Sequence, residues 1–264
     1  MGKLLYGQCA GTVKRLGLEL GGNASFIVFH SADLDLAVAG CMASKFRNAG
    51  QTCVSTNRVL VQENVAEVFL EKLKAVMESQ LVSGDPTKPG VTIGPLINQS
   101  QHSRVVGLVS RAVEAGARLE AGGGPGDVSP LHYQPTILTG VTPDMEIFQE
   151  EVFGPVVSIA TFKTEEEALE IANNCRTGLA SYFYSNDVAQ CWRVGEKRVS
   201  VWVVLTGVTA GKRLETGMVG INEGMIVMAE AALGGVKESG FGREGSRHGI
   251  DDYTNIKYLC FGNL

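Results

Sequence analysis

The sequence predicts an α/β fold, a mostly parallel β-sheet flanked by helices. Two observations predict it. Apolar runs of strand length alternate with amphipathic stretches of helical period along much of the chain, the order that parallel βαβ units require. Glycine- and proline-rich segments fall between these runs and mark the turns. At 264 residues the chain is long enough for one large domain or two small ones.

Taken in order, the periodicity predicts a short helix over 2–15 and a strand within 13–19 that runs into Gly21-Gly22. Phe26-Ile27-Val28-Phe29 is a compact apolar run and predicts a buried strand. Ser31 and Asp33 offer caps for a helix over 34–47, whose apolar positions Leu34, Val38, Cys41 and Met42 recur at helical spacing. Gly50 is expected to close that helix, leaving Cys53 in the turn. Arg58-Val59-Leu60-Val61 predicts a strand, and 65–79 a helix with Val65, Val68, Phe69, Leu73 and Val76 on one face. A Gly/Pro loop over 83–95, a helix over 99–115 ending at Gly116, and a loop over 122–130 follow. Strands at 156–162 and 182–184 then alternate with helices at 165–174 and 187–196.

Composition narrows the function classes. The net charge is −5 with no basic block, which argues against nucleic acid as a partner. Apolar content of 44% and charged content of 19% are ordinary for a water-soluble globular chain. The most apolar run, 199–205, is far too short to cross a membrane. Cys9, Cys41, Cys53, Cys175, Cys191 and Cys260 are scattered, with no Cys-x-x-Cys pair, so a reducing compartment is expected and no metal site is. The first residues show neither a signal peptide nor a transit peptide.

Two stretches carry chemistry. Leu18-Glu19-Leu20-Gly21-Gly22 sets a carboxylate beside two glycines, and Phe46-Arg47-Asn48-Ala49-Gly50-Gln51-Thr52-Cys53 ends in a cysteine after a glycine turn. A thiol nucleophile with a carboxylate base is a covalent-catalysis pair. Cys53 taken alone reads first as a small core hydrophobe, the usual fate of a free cysteine, and the surrounding motif reverses that reading. Glu19 alone reads as a surface carboxylate at a strand end. Its apolar neighbours Leu18 and Leu20 favour partial burial, which raises a carboxyl pKa and suits a base. Glu151 alone is one charge of a solvated pair with Glu150, and Arg47 alone is a helix-end cation interacting with the macrodipole.

These stretches, with Gly94-Pro95-Leu96-Ile97, Glu150-Glu151-Val152-Phe153-Gly154-Pro155, Asn222-Glu223-Gly224, Gly240-Phe241-Gly242-Arg243-Glu244-Gly245-Ser246 and the tail from Asp252 to Tyr258, stand in the order of the aldehyde dehydrogenases. The chain resembles that family, and its succinate-semialdehyde dehydrogenases most. The resemblance implies NAD or NADP as cofactor, a small semialdehyde acid as substrate and a role in 4-aminobutyrate breakdown. It implies Cys53 as the nucleophile, passing through a thiohemiacetal and a thioester, and Glu19 as the base that activates water. Glu151 would bind the nicotinamide ribose, Phe153 would pack near the nicotinamide, and Arg47 would hold the distal carboxylate of the substrate.

The same resemblance divides the chain into 1–20 as a remnant of a cofactor-binding domain, 21–251 as the catalytic domain, and 252–264 as a C-terminal oligomerisation strand. A homo-oligomer, dimer or tetramer, is expected on that basis. Compartment follows source: the mitochondrial matrix in a eukaryote, the cytoplasm otherwise.

Several places depart from the family pattern. The chain matches the family's C-terminal catalytic half. The segment near 197–213 has no counterpart and is expected to be an extra loop. Within it Gly207, Gly211 and Lys212 resemble a phosphate loop, but the spacing is one short and no Ser or Thr follows the lysine. Ile226-Val227-Met228 stands where an Ile-Ser-Ser stretch supplies a substrate contact, and Ala232-Leu233 where the family has Pro-Phe. Ser55 stands where animal relatives often carry a second cysteine, so a disulfide switch there is not expected. Two alternatives stay open: a non-catalytic fragment that docks with full-length subunits, and a slow thiol esterase that keeps Cys53 and Glu19 but transfers no hydride.

Overall fold

The chain is seen in a computed structural model that describes residues 1–126, 128–195 and 214–262. The unusual segment near 197–213 lies outside the described residues. Seven helices are described: α1 Gly2–Cys9, α2 Leu34–Phe46, α3 Glu63–Gln80, α4 Gln99–Glu114, α5 Glu146–Gln149, α6 Glu165–Asn173 and α7 Val188–Gly195. Eleven strands accompany them: β1 Leu18–Glu19, β2 Ala24–Val28, β3 Thr56–Gln62, β4 Arg118–Ala121, β5 Thr136–Thr139, β6 Val156–Phe162, β7 Thr177–Gly178, β8 Ala180–Tyr184, β9 Met218–Ile221, β10 Val236–Lys237 and β11 Gly240–Phe241.

Seven strands form the main sheet in the order β4-β5-β6-β3-β2-β8-β9. Every neighbouring pair is parallel except β4 with β5. This is the sheet that the alternation of runs predicts. Its central strands are apolar on both sides, as strands covered by helices on both faces must be. Along β2, Phe26 and Val28 pack with α2 and α3, while Ile27 packs with α4 to α7 on the other face. β3 repeats the division with Val59 and Val61 against Leu60.

Local signals account for most boundaries. Asp33 caps α2, its Oδ1 accepting the N–H groups of Asp35 at 3.0 Å and Leu36 at 3.1 Å. Helix α2 stops at Phe46, before the glycine expected to end it, because Arg47 turns out of the helix at ψ 133. Gly40 inside α2 is a close approach: a Cβ there would lie 1.7 Å from the Tyr184 hydroxyl. The expected strand within 13–19 is only Leu18–Glu19, paired antiparallel with β11. Over 249–253 the tail is a 3₁₀ helix, and 254–262 form no ladder among the described residues. β4, β5 and α5 are short elements with no periodic signal in the sequence.

Candidate active site

Three loops that lead into adjacent parallel strands meet at the amino end of the sheet's central strands. Gly21 and Gly22 precede β2, Cys53 precedes β3, and Glu151 to Gly154 precede β6. These strands are neighbours in the order β6-β3-β2, so the sheet itself brings their amino ends together. Glycines set the spacing. A Cβ on Gly22 would lie 2.3 Å from the Cys53 carbonyl oxygen, and one on Gly50 would lie 2.1 Å from the carbonyl oxygen of Gly154. Gly50 also needs its freedom of backbone, with φ at +75.

The turn that carries Cys53 is tightly built. Asn48 and Ala49 hold left-handed conformations, φ 52 and 55, which L-residues adopt at a cost. The Ser55 N–H donates to the Thr52 carbonyl at 2.9 Å. The Ser55 hydroxyl donates to the Lys45 carbonyl at 3.3 Å.

Helix α4 holds the loop of Glu151 and Phe153. Arg104 donates to the carbonyls of Glu151 at 2.6 Å and Val152 at 3.1 Å. Gln101 donates to those of Val152 at 3.0 Å and Phe153 at 2.9 Å. Asn57 closes the other side, accepting from the Val152 N–H at 3.0 Å and donating to the Glu150 carbonyl at 2.9 Å. Phe153 is thereby held at a positive φ of 53. None of these three supports is visible as a motif, because each is an ordinary polar residue at a helix or strand position.

Electrostatics link the predicted residues more clearly than any one cavity does. Burial raises the Cys53 thiol, and the negative charges of Glu151 and then Glu19 raise it further; the backbone of Cys53 and Val54 draws it back. Arg47, at the end of α2, is exposed and is not among these influences. Burial also raises the Glu19 carboxyl, with Glu244 adding to the effect and Arg243 and the Gly235 backbone opposing it. Both Glu19 oxygens are shielded from water, and among the described residues no donor lies in full hydrogen-bond geometry to them, the Gly235 backbone acting only as a nearby dipole. Glu19 lines a cavity of about 860 Å³ with Arg243 and Glu244. Glu151 lines another of about 620 Å³ with Gly21 and Gly22, and Arg47 a third of about 620 Å³ with Met42 and Met225. Cys53 lines none of these three.

Two further side chains belong to this neighbourhood. Lys45 is fully buried, its amine pushed down to about 7 by burial despite the nearby Cys41 and Glu151. Tyr182 is also buried, and both Cys53 and Arg47 act on its hydroxyl. No cluster able to hold a metal ion occurs among the described residues.

The sequence profile of the aldehyde dehydrogenase family matches residues 1–259, and the chain belongs to that family. The chain is 50% identical over its whole length to 3-sulfolactaldehyde dehydrogenase of Pseudomonas putida, of which it covers 51%. It is 48% identical to the mitochondrial succinate-semialdehyde dehydrogenase of Rattus norvegicus, of which it covers 47%. The crystal structure of an E. coli NADP dependent enzyme superposes with a TM-score of 0.91 at 46% identity, covering 99% of this chain and 51% of that one. The chain thus spans about half the length of the relatives it matches.

Family members use NAD or NADP, and the residues present fit one end of such a molecule. Glu151 Oε1 accepts the Gly22 N–H at 3.1 Å, and among the described residues none donates to Oε2. That second oxygen faces Gly21, where a Cβ would come within 2.7 Å of it. A carboxylate with a free acceptor beside a bare glycine backbone suits the hydroxyls of a ribose.

Proposed function

We propose that this chain carries the catalytic centre of an enzyme that oxidises succinate semialdehyde to succinate with NAD or NADP. The observation that carries the reading is the shared electrostatic environment of Cys53, Glu19 and Glu151 where β2, β3 and β6 begin. Cys53 is the nucleophile: its Sγ bonds to the aldehyde carbon and the carbonyl oxygen takes the negative charge. Bound NAD(P) supplies the acceptor for the hydride that leaves that carbon. Glu19 takes a proton from water, whose oxygen attacks the thioester carbon; the carbon–sulfur bond breaks and the acid departs. A carboxyl raised by burial is a stronger base than an exposed one, which favours this role. Glu151 would hold the nicotinamide ribose and Phe153 would pack beside the nicotinamide.

Substrate class follows from charge. Succinate semialdehyde and 3-sulfolactaldehyde, named for the two relatives, both carry an anionic group away from the aldehyde. Arg47 is the exposed cation at the end of α2 and is proposed to hold that group. A charge-assisted pair contributes about 1.5–3 kcal/mol, enough to select an anionic aldehyde over a neutral one. A place in 4-aminobutyrate breakdown, in the mitochondrial matrix of a eukaryote or the cytoplasm otherwise, goes with this reading. So does assembly as a homo-oligomer.

One assay tests it. The purified chain is mixed with succinate semialdehyde and NAD(P), then separately with an activated ester. Reduced cofactor is the expected result, and Cys53→Ala abolishes it. Ester cleavage without reduced cofactor would instead assign a thiol esterase, and inactivity in both would assign a non-catalytic docking fragment.

A further inference from the structure

The nucleophile turn is gripped from two sides by residues that the chemistry does not use. The Tyr182 hydroxyl donates to the Val54 carbonyl at 2.8 Å. Its ring cannot swing away: Phe26 lies 6.1 Å from it centre to centre, and a Cβ on Gly220 would meet its Cδ1 at 2.8 Å. On the other side Gly22 abuts the Cys53 carbonyl, where a Cβ would be 2.3 Å from the oxygen. The Cys53 carbonyl and the Val54 N–H belong to one planar peptide and point in opposite directions. Seating the carbonyl against Gly22 therefore turns the Val54 N–H away from Gly22. The backbone of Val54 is one of the two that favour the ionised sulfur. The next peptide begins at the carbonyl that Tyr182 holds.

We propose that Tyr182 is a positioning residue for Cys53: its hydrogen bond to the Val54 carbonyl fixes the second of the two peptide planes that follow the nucleophile, as Gly22 seats the first, and together they hold the backbone on which Sγ is carried. This rests on the reading of Cys53 as nucleophile and extends it to a residue on β8, on the far side of β2. Tyr184, two residues on, provides the contrast. It is buried like Tyr182 and stacks on the same Phe26 at 4.9 Å, but its hydroxyl has no hydrogen-bond partner among the described residues. One tyrosine holds the nucleophile turn, and its neighbour only fills space.

Alkylation of Cys53 by iodoacetamide tests this without turnover, so its outcome is independent of dehydrogenase activity. Peptide mass spectrometry separates Cys53 from the other five cysteines. The rate is followed against pH in the native protein, Tyr182→Phe and Tyr184→Phe. The Tyr182→Phe profile is expected to move to higher pH, with alkylation at pH 7 slowed roughly tenfold, the scale of one charge-assisted hydrogen bond. Its rate at the alkaline plateau should be unchanged, and Tyr184→Phe should match the native protein throughout. If Tyr182→Phe alone folds poorly, it is made in the Tyr184→Phe background, which removes an unpartnered buried hydroxyl and offsets the loss. A Tyr182→Phe profile that overlays the native one, or an equal displacement by Tyr184→Phe, would overturn the proposal.

Discussion

At the residue scale the neighbourhood of Cys53 is governed by burial. The thiol, the Glu19 and Glu151 carboxyls and the Lys45 amine all shift toward their neutral forms, and in each the first cause is loss of water. Such a group leaves a signature in stability. Native Lys45 gives up its proton near pH 7, whereas an unfolded lysine holds it to about 10.4. Between those values the unfolded chain binds more protons, so unfolding becomes less favourable as pH rises. Cys41 acts in the opposite sense. Burial pushes its thiol up to about 12, so above about pH 8.5 the unfolded chain loses a proton that the native one keeps. The clean window is therefore pH 7 to 8.5. Urea unfolding there should show stability rising by up to about 1.4 kcal/mol per pH unit more in the native protein than in Lys45→Met. Parallel pH profiles for the two proteins would refute the prediction, whatever the remaining cysteines contribute, because both carry them.

At the element scale the sheet and the site are fastened together by Arg58. It sits on β3, fully buried, and donates to the carbonyls of Asn23 at 3.0 Å, Ile171 at 3.0 Å and Ala172 at 2.9 Å. Two of those carbonyls end α6 and the third lies in the loop before β2, so one planar guanidinium joins three elements. Arg58→Met strands these acceptors and should cost about 3 kcal/mol, read as a lower urea midpoint. Arg58→Lys should recover little, since a single ammonium lacks the fork of donors; a lysine variant as stable as the native protein would show that charge alone suffices. None of this fastening was legible in the sequence, where Arg58 is simply the first residue of an apolar run. The strands β2, β3, β6 and β8 and the helices α2, α3, α4, α6 and α7 were legible, because burial on one or both faces leaves a period. β4, β5 and α5 were not, being four residues each and too short to show one. The candidate site was legible only as separate motifs, Glu19, Cys53 and Glu151 to Phe153. What joins them is the strand order β6-β3-β2, and no local pattern encodes which strands become neighbours.

At the scale of the whole molecule, apolar surface is concentrated where the chain has few internal partners. Ile256, Tyr258 and Phe261 are almost wholly exposed, along a tail that over 254–262 forms no ladder among the described residues. Ile256 and Tyr258 alternate with Lys257, the period of a strand with one apolar face. An unpaired backbone with such a face pairs readily with another chain. Covering each large side chain contributes about 1.5–3 kcal/mol, which favours association through this tail. The tail is attached to the body by little: Arg15 donates to the Thr254 carbonyl at 2.7 Å, and the tail's aromatic rings stand clear of the core. Association and stability should therefore separate. Light scattering on the intact chain should show mass rising with concentration. A chain ending after Thr254 should stay monomeric over the same range with an unchanged urea midpoint. If the shortened chain associates as strongly as the intact one, the tail is not the oligomerisation strand, and the exposed Leu4, Leu5 and Tyr6 of α1 become the surface to alter next.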